Sequence, residues 1–294
     1  FHQFPSRVSK IQAGLITRAY NNCYQSTLAL LENGDVWCCG SNWQAGLGLG
    51  NTTQTNSWTK NNTISGIKDI YMCRALVFAV GASSLYSWGE NVYGSCGNGG
   101  SGVVNTPRLA KSISSSAKVR FSVNGGYHDG EYCNSAVCID GKLFGAGFNA
   151  YGEVNVDGAN KNTLTEILDP QSNQWTLKDT DSFFMHMELS AVLQENSDGD
   201  MDLYVAGFGR YGYGDSTSDG GYTKKGYKKI KTFEGNKWKL SYQRQYTDRV
   251  SFAVSLFVVN EEKREIWAFG ENATGGLGIG ISGYENSFVI QKVL

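Results

Sequence analysis

One glycine-rich segment recurs five times along this chain, each time directly after a short aromatic or apolar run. The copies are, in chain order, CCGSNWQAGLGLG from Cys38, SWGENVYGSCGNG from Ser87, GAGFNAYGEVNVDG from Gly145, VAGFGRYGYGD from Val205 and AFGENATGGLGIG from Ala268. Their leading glycines are 49, 58, 60 and 63 residues apart. A drifting spacing of this size indicates one supersecondary unit that is repeated with loop insertions.

Two further elements precede each copy of this segment. The first is an apolar segment centred on an alanine, at Ala29, Ala79, Ala136, Ala191 and Ala253. The second is an aromatic strand, which follows tight turns such as ENGD (Glu32–Asp35) and IDGK (Ile139–Lys142). The Asn-Gly and Asp-Gly pairs in these turns are typical of two-residue hairpins. Because a more polar extended segment follows the glycine loop, each unit contains four strands.

The composition agrees with many short strands joined by glycine-assisted turns. The 294 residues include 37 Gly against 3 Pro, together with 16 Tyr, 14 Phe and 7 Trp. Small alanines suit strands that crowd against equivalent strands around a common axis. The sequence therefore predicts an all-β fold, a β-propeller of four-stranded blades with five visible repeat units.

We expect a single β-propeller domain over residues 1–294. The five units fall at roughly 12–60, 66–112, 118–170, 175–232 and 238–294. Residues 1–11 are expected to form the outer strand of a closing or preceding blade. Two arrangements stay open: a closed five-bladed propeller, completed by strands from both termini, or part of a longer, seven-bladed ring.

The order of strand, turn, aromatic strand and G-x-N-x-x-G-x-x-G-x-G resembles the regulator of chromosome condensation repeat. The matching positions are Gly40, Asn42, Gly46, Gly48 and Gly50; Gly89, Asn91, Gly94, Gly97 and Gly99; Gly147, Asn149 and Gly152; Gly207 and Gly212; and Gly270, Asn272, Gly275, Gly278 and Gly280. The fourth unit departs from the pattern, since Gly209 replaces the asparagine. Glycine permits positive φ angles and asparagine can bond the backbone of its own turn, so we interpret the loop as a structural staple.

The resemblance implies a non-catalytic recognition module whose partners are proteins. Family members serve as interaction platforms, and one branch promotes guanine-nucleotide exchange on a small GTPase. Exchange is kept as an alternative function, although the protruding element on which it depends has no match in this sequence. We expect no enzymatic activity and no cofactor, because no acid–base pair, nucleophile triad or cofactor fingerprint stands out.

A different class of function is also open: a receptor- or glycan-binding attachment domain of a larger assembly, such as a viral tail or capsid appendage. The chain begins at Phe1 rather than Met, its loops are rich in Asn, Thr and Tyr, and its repeats diverge strongly. The seven cysteines instead favour a reducing, intracellular location, because they cannot all pair and Cys38 and Cys39 are adjacent in one strand. A virion or surface appendage is the alternative location.

Aromatic residues recur within the glycine loops. Tyr93, Tyr151 and Tyr211 occupy equivalent positions, and Trp43 lies close to the same register. Tyr and Trp supply a large contact area at low entropic cost, so these four residues form a candidate recognition rim. Packing within the loop is the competing interpretation.

Three aspartates alternate in the segment NSDGDMDLY. Asp198, Asp200 and Asp202 offer hard oxygen ligands of the kind that calcium prefers. The segment lacks the sixth-position glycine and the bidentate glutamate of an EF-hand. A calcium site and a solvated turn are therefore both kept as interpretations.

A lysine-rich segment with interleaved aromatic residues runs from Tyr222 to Lys239. Its candidate basic patch, for nucleic acid or an acidic partner, consists of Lys224, Lys225, Lys228, Lys229 and Lys231. Lysines also protect an outer edge strand against unwanted pairing, and the formal net charge of −1 gives no general attraction to nucleic acid. We therefore expect no nucleic-acid partner, and no apolar run reaches the roughly 20 residues of a membrane span.

Overall fold

The computed structural model describes residues 2–18, 22–124, 133–154, 158–186, 189–207, 226–245, 253–270, 276–280 and 290–293. Within these ranges the chain forms five four-stranded antiparallel sheets, and each sheet consists of four consecutive strands. A short 3-10 turn covers Trp43–Ala45. No helix in the described ranges has the length and apolar character needed to cross a membrane.

In each sheet, every strand pairs with the strands that precede and follow it in the chain. The first three sheets contain β1 (Val8–Arg18), β2 (Asn22–Leu31), β3 (Val36–Gly40) and β4 (Thr55–Lys60); β5 (Asp69–Cys73), β6 (Leu76–Val80), β7 (Ser84–Gly89) and β8 (Val104–Ser112); and β9 (Val119–Asn124), β10 (Asn134–Ile139), β11 (Lys142–Gly147) and β12 (Lys161–Glu166). The last two contain β13 (Ser182–Met185), β14 (Leu189–Glu195), β15 (Met201–Gly207) and β16 (Lys228–Phe233); and β17 (Lys239–Gln245), β18 (Ala253–Asn260), β19 (Glu265–Gly270) and β20 (Gln291–Lys292). The predicted all-β class is confirmed.

Burial differs systematically across the sheets. The second strands β6 and β10 are buried at every position, as expected for strands that are covered on both faces. The fourth strands β4 and β12 carry exposed polar residues. This gradient explains why the apolar segments of the repeat were easy to recognise and the fourth segments were not.

The hairpin turns confirm one prediction and change another. Asp140 and Gly141 both have positive φ angles, 50° and 83°, and join β10 to β11 directly, as the Asp-Gly pair predicts. Between β2 and β3, however, four residues form the connection, and only Gly34 among them has a positive φ, 81°. The amide of Leu31 donates to the carbonyl of Asp35 at 2.9 Å, so the turn is wider than two residues.

The first strand differs from its sequence assignment. The sequence predicts that residues 1–11 form the outer strand of a closing or preceding blade, whereas Val8–Ile11 pairs with β2, with Ile11 opposite Ala29. The extended run continues unbroken to Arg18, so β1 is the first strand of the first sheet. It lies close to the end of β5. A Cβ on Gly14 would fall on the carbonyl oxygen of Arg74, the residue that follows β5.

The register also shows that the recurring alanines are not all equivalent. Gly89 lies opposite Leu76, three residues before the alanine of that copy. Gly270 lies opposite Ser255, two residues after the alanine of its copy. Side chains alternate between faces along a strand, so an alignment made on the alanines misplaces faces between copies.

The described residues form two compact units. Unit 1 comprises residues 1–140, 144–148 and 160–166, and unit 2 comprises residues 141–143, 149–159 and 167–294. The core of unit 1 includes the fully buried Phe78 and Trp88, and that of unit 2 includes the fully buried Phe269. A single domain over the whole chain, and its closure into a ring, stay predictions.

Candidate interaction site

An asparagine closes the glycine loop in the first three sheets. Its side-chain nitrogen donates to a backbone carbonyl nine or ten residues later, in the pairs Asn42–Asn51 (2.7 Å), Asn91–Gly100 (3.0 Å) and Asn149–Ala159 (3.1 Å). Its side-chain oxygen accepts from the backbone amide five residues later, that of Leu47 (2.9 Å), Cys96 (2.8 Å) and Val154 (2.7 Å). These asparagines are buried, so the predicted structural role of the loop is confirmed for these three copies.

The same loops are bonded to the sheet that follows each of them. The acceptor is always the backbone carbonyl of the residue four positions after the asparagine. The donor–acceptor pairs are Trp88 Nε1 to Gly46 (3.0 Å), Ser135 Oγ to Ser95 (2.8 Å) and Ser190 Oγ to Glu153 (3.0 Å). The loop therefore fixes the following sheet through its backbone, whatever side chain the acceptor residue carries.

The third loop differs from the other two at that acceptor residue. Glu153 stands where the first loop has Gly46 and the second has Ser95, and its side chain is fully buried. Its Oε2 accepts a hydrogen bond from the amide of Tyr151 at 3.1 Å. The third loop thus buries a carboxylate at a position where the repeat requires only a backbone carbonyl.

Unit 1 also buries a carboxylate, but it does so beside a cation. Glu90 is fully buried, and its Oε1 lies 3.2 Å from a guanidinium nitrogen of Arg74, which is itself buried. A buried carboxylate next to a guanidinium forms a compensated pair. Charge in this part of unit 1 is therefore balanced internally.

A cavity of about 290 Å³ lies in unit 2, next to the third loop. Its lining combines loop glycines, apolar side chains and a few polar groups. The lining residues are Gly152, Val154, Leu168, Asp169, Pro170, Ser172, Gly226 and Tyr227. Among these described residues one, Asp169, is acidic and none is basic.

Tyr227 forms a rigid part of the cavity wall. Its ring contacts the buried Trp175 edge-on, with the ring centres 5.5 Å apart. Burial, followed by the charge of Glu153, raises the pKa of the Tyr227 phenol, and a side-chain hydrogen bond with Ser190 opposes this only in part. The phenol is therefore protonated at neutral pH.

Asp169 stands in a tight turn at the edge of the cavity. Its Oδ1 accepts the backbone amides of Gln171 (2.9 Å) and Asn173 (2.8 Å). The turn is completed by the amide of Ser172, which donates to the carbonyl of Asp169 at 3.0 Å. One carboxylate oxygen thus shapes the turn, and among the described residues Oδ2 accepts no recorded hydrogen bond.

The predicted rim residues lie in the asparagine loops. Trp43 stacks on Tyr24 with ring centres 5.8 Å apart, and Tyr93 packs edge-on against Phe148 at 5.4 Å. Tyr151 is partly buried and precedes the cavity residue Gly152. Tyr211 lies outside the described residues. Recognition by this rim stays a prediction, since Trp43 and Tyr93 also pack within unit 1.

The three aspartates of the predicted calcium site have separate partners. Asp202 is buried, and its carboxylate accepts from Lys229 Nζ at 2.8 Å and Thr232 Oγ1 at 2.7 Å. Asp200 accepts the amide of Gly235 at 2.8 Å, and Asp198 is exposed. Across the described side chains, no group of three His, Cys, Asp or Glu is placed to hold a metal ion. Calcium binding stays a prediction.

The described lysines of the predicted basic patch lie on β16. Lys229 pairs with Asp202, and Lys231 Nζ lies 4.1 Å from the ring centre of Trp267. Lys228 is exposed. Lys224 and Lys225 fall outside the described residues. At least two of the lysines therefore serve contacts inside unit 2.

The cysteines for which bonding is described are all free thiols, namely Cys38, Cys39, Cys73, Cys96, Cys133 and Cys138. Burial, and to a lesser extent the neighbouring Cys39, raises the pKa of Cys38 to about 12. Such a thiol is protonated and unreactive at neutral pH.

Sequence reasoning missed the residues that build the cavity. Asp169 precedes Pro170, a dipeptide that signals a turn but not a site. Glu153 could have been noticed as a charged residue where the other loops have Gly46 and Ser95. Tyr227 was recognised only as one of the aromatics in the lysine-rich segment.

Comparison with known proteins agrees with this architecture. The family model described as the regulator of chromosome condensation (RCC1) repeat matches residues 83–128, and a second model of that repeat matches residues 24–42. The structure of human WBSCR16 is similar with a TM-score of 0.58 and 17% identity, covering 92% of this chain and 65% of that one.

A second similar structure is that of Prp20p from Saccharomyces cerevisiae, described together with its binding to Gsp1p and histones. The TM-score is 0.53 and the identity 19%, covering 78% of this chain and 52% of Prp20p. The chain thus spans less than two thirds of the length of either protein. Sheets of four consecutive strands, asparagine-closed loops and the two matched segments lead to one conclusion: residues 24–42 and 83–128 match RCC1-repeat models, and the sheets of the chain resemble the blades of RCC1-like β-propellers.

Proposed function

We propose that this chain is a protein-interaction module that binds its partner at the cavity of unit 2 and the adjoining Tyr151 loop. The observation that carries the proposal is the cavity beside Glu153. The repeat uses the backbone carbonyl of this position in all three described loops, and the third of these loops places a buried carboxylate there, next to the cavity. Concave sites with a few fixed polar groups are typical of binding surfaces.

The fold supports a protein as the partner. Prp20p, which has a similar structure, was described with its binding to Gsp1p and histones, both proteins. Tyr151 adds a partly buried aromatic ring beside the cavity, and aromatic residues of this kind often dominate binding energy. The proposal is for binding without catalysis.

Site-specific photo-crosslinking tests this proposal. Tyr151 is replaced by p-benzoylphenylalanine, which keeps an aromatic ring, and the protein is irradiated in an extract of its source. The matched control carries the same group at Asn56, an exposed residue of β4. We expect a discrete protein adduct from position 151 and none from position 56. Equal labelling from both positions, or no adduct from position 151, would contradict the proposal.

Nucleotide exchange on a small GTPase is the second candidate, and the similarity to Prp20p is the observation that favours it. Its test is the release of labelled GDP from a purified GTPase found among the crosslinked proteins. Acceleration of release by catalytic amounts of this chain would establish exchange in place of simple binding. Receptor or glycan binding by an attachment domain stays a prediction.

A further inference from the structure

We infer that the unit 2 cavity accepts the protonated side chain of a lysine or arginine from the protein partner. This inference rests on the proposed function and names the chemistry that the cavity recognises. The charge, shape and size of the cavity support it.

The described lining of the cavity contains one acidic residue, Asp169, and no basic residue. Glu153, which stands between the lining residues Gly152 and Val154, raises the pKa of the Tyr227 phenol through its charge. Unlike Glu90, which is compensated by Arg74, Asp169 has no ion pair within the described residues. A cation entering the cavity would supply the missing charge.

The carboxylate of Asp169 is held in place by the backbone of its own turn. Its Oδ1 is occupied by the two amides of the turn, which fixes the position of the carboxylate. Its Oδ2 retains the capacity to accept from an incoming N–H group. A carboxylate held by backbone donors needs no reorganisation when a cation arrives, and this favours binding.

The cavity has an aromatic residue in its wall and a small volume. Tyr227 is held against Trp175 and stays protonated, so it presents an uncharged aromatic surface. Aromatic rings attract ammonium and guanidinium groups, and apolar residues such as Leu168 and Pro170 suit the methylene stem. The volume of about 290 Å³ is at the lower end of ligand sites, which fits one long side chain better than a drug-sized ligand.

Peptide titration monitored by NMR tests the inference. The probes are three heptapeptides, Ac-GSGXGSG-amide, in which X is lysine, arginine or norleucine. We expect the lysine and arginine peptides to shift the amide signals of Gly152, Ser172 and Gly226, and to bind less tightly as salt is added. The norleucine peptide, which has the stem but no charge, should leave those signals unchanged.

Two variants give the matched comparison. Asp169→Asn keeps an Oδ1 acceptor for the turn and removes the charge, and we expect at least tenfold weaker binding of the charged peptides. Glu261→Gln removes an exposed carboxylate of unit 2 outside the cavity and should bind as the wild type does. Thermal unfolding of both variants checks that they fold. Unchanged affinity in folded Asp169→Asn, or equal binding of the norleucine peptide, would overturn the inference.

The failure of this inference is distinguishable from the failure of the proposed function. If position 151 crosslinks a protein equally well in wild type and Asp169→Asn, the proposed interaction module stands. The inference that the cavity accepts a lysine or arginine side chain is then wrong. If charged peptides bind in the cavity but no protein is crosslinked, the proposed function fails. Lysine amide serves as a third probe, and binding as tight as that of the lysine peptide would identify a small-amine site and overturn the protein source.

Discussion

The second and third glycine loops are built on the same staple but differ at one buried residue. Asn91 and Asn149 make the same pair of bonds, and the carbonyls of Ser95 and Glu153 accept from a serine of the following sheet. The scaffold thus requires an asparagine and a backbone carbonyl, and leaves the acceptor side chain free to change. The difference shows that the acceptor side chain of this repeat can change while the asparagine bonds and the bond to the following sheet stay the same.

The largest effect is expected from moving the carboxylate into the second loop. Ser95 is fully buried, and Ser95→Glu would bury a charge among groups arranged around a hydroxyl. We expect a loss of about 3 kcal/mol or more in the free energy of unfolding, against about 1 kcal/mol for Ser95→Ala. Urea denaturation measures both. Near-equal losses for Ser95→Glu and Ser95→Ala would mean that the second loop can bury a glutamate as readily as the third loop does.

Removing the staple should affect both loops alike. Asn91→Ala and Asn149→Ala each delete two hydrogen bonds, and one of the two is the bond to a buried backbone amide. We expect each to lose about 2–4 kcal/mol of unfolding free energy. The exposed Asn56→Ala is the control and should change stability by less than about 0.5 kcal/mol. A small loss for Asn149→Ala alone would show that the third loop is held by other contacts.

The bonds to the following sheets are expected to contribute less. Ser135→Ala and Ser190→Ala each remove one donor to a loop carbonyl, at 2.8 Å and 3.0 Å respectively. Each variant should lose about 1 kcal/mol, measured by urea denaturation. A clearly greater loss in Ser190→Ala would sharpen the comparison, because Ser190 Oγ also donates to the carbonyl of Ala206 at 3.4 Å.

The smallest effect is expected from Asp202, and it depends on pH. Burial alone would raise the pKa of Asp202, but the hydrogen bonds from Lys229 and Thr232 and the charge of Lys229 outweigh burial and lower it. Its contribution is therefore present above the ordinary aspartate pKa of about 3.9 and is lost as the pH falls through the lower folded value. Asp202→Asn should be less stable than wild type by about 1 kcal/mol at pH 7, and the difference should shrink below about pH 4. A difference that is constant with pH would contradict this assignment.

The repeat could be predicted from the sequence because its signals are local. The asparagine bonds backbone groups within ten residues, and Asp140–Gly141 forms its turn alone. Even so, alignment on glycines misjudged the first loop, where Ala45 takes the positive φ of 56° and Gly46 has a φ of −59°. An alanine in the left-handed region is uncommon and gives no signal in the sequence.

The cavity could not be predicted, since its residues are joined only by the fold. Gly152, Asp169 and Tyr227 are far apart in the chain, and each is ordinary in its own segment. Only the pairing of the strands and the turn at Asp169 bring them around one space. The bond between Lys229 and Asp202 could not be predicted either. It joins a residue of the candidate basic patch to a candidate calcium ligand far away in the chain.

The donors that reach back to each loop have a consequence for how such a chain can evolve. A loop acceptor and its donor, such as Gly46 and Trp88, belong to successive sheets, and the donor changes from tryptophan to serine along the chain. Duplication of the first unit alone would place the Gly46 acceptor beside a unit that lacks the Trp88 donor. Successful duplications and chimeras should therefore exchange the loop together with the neighbouring strand, so that the heritable module is offset from the visible blade.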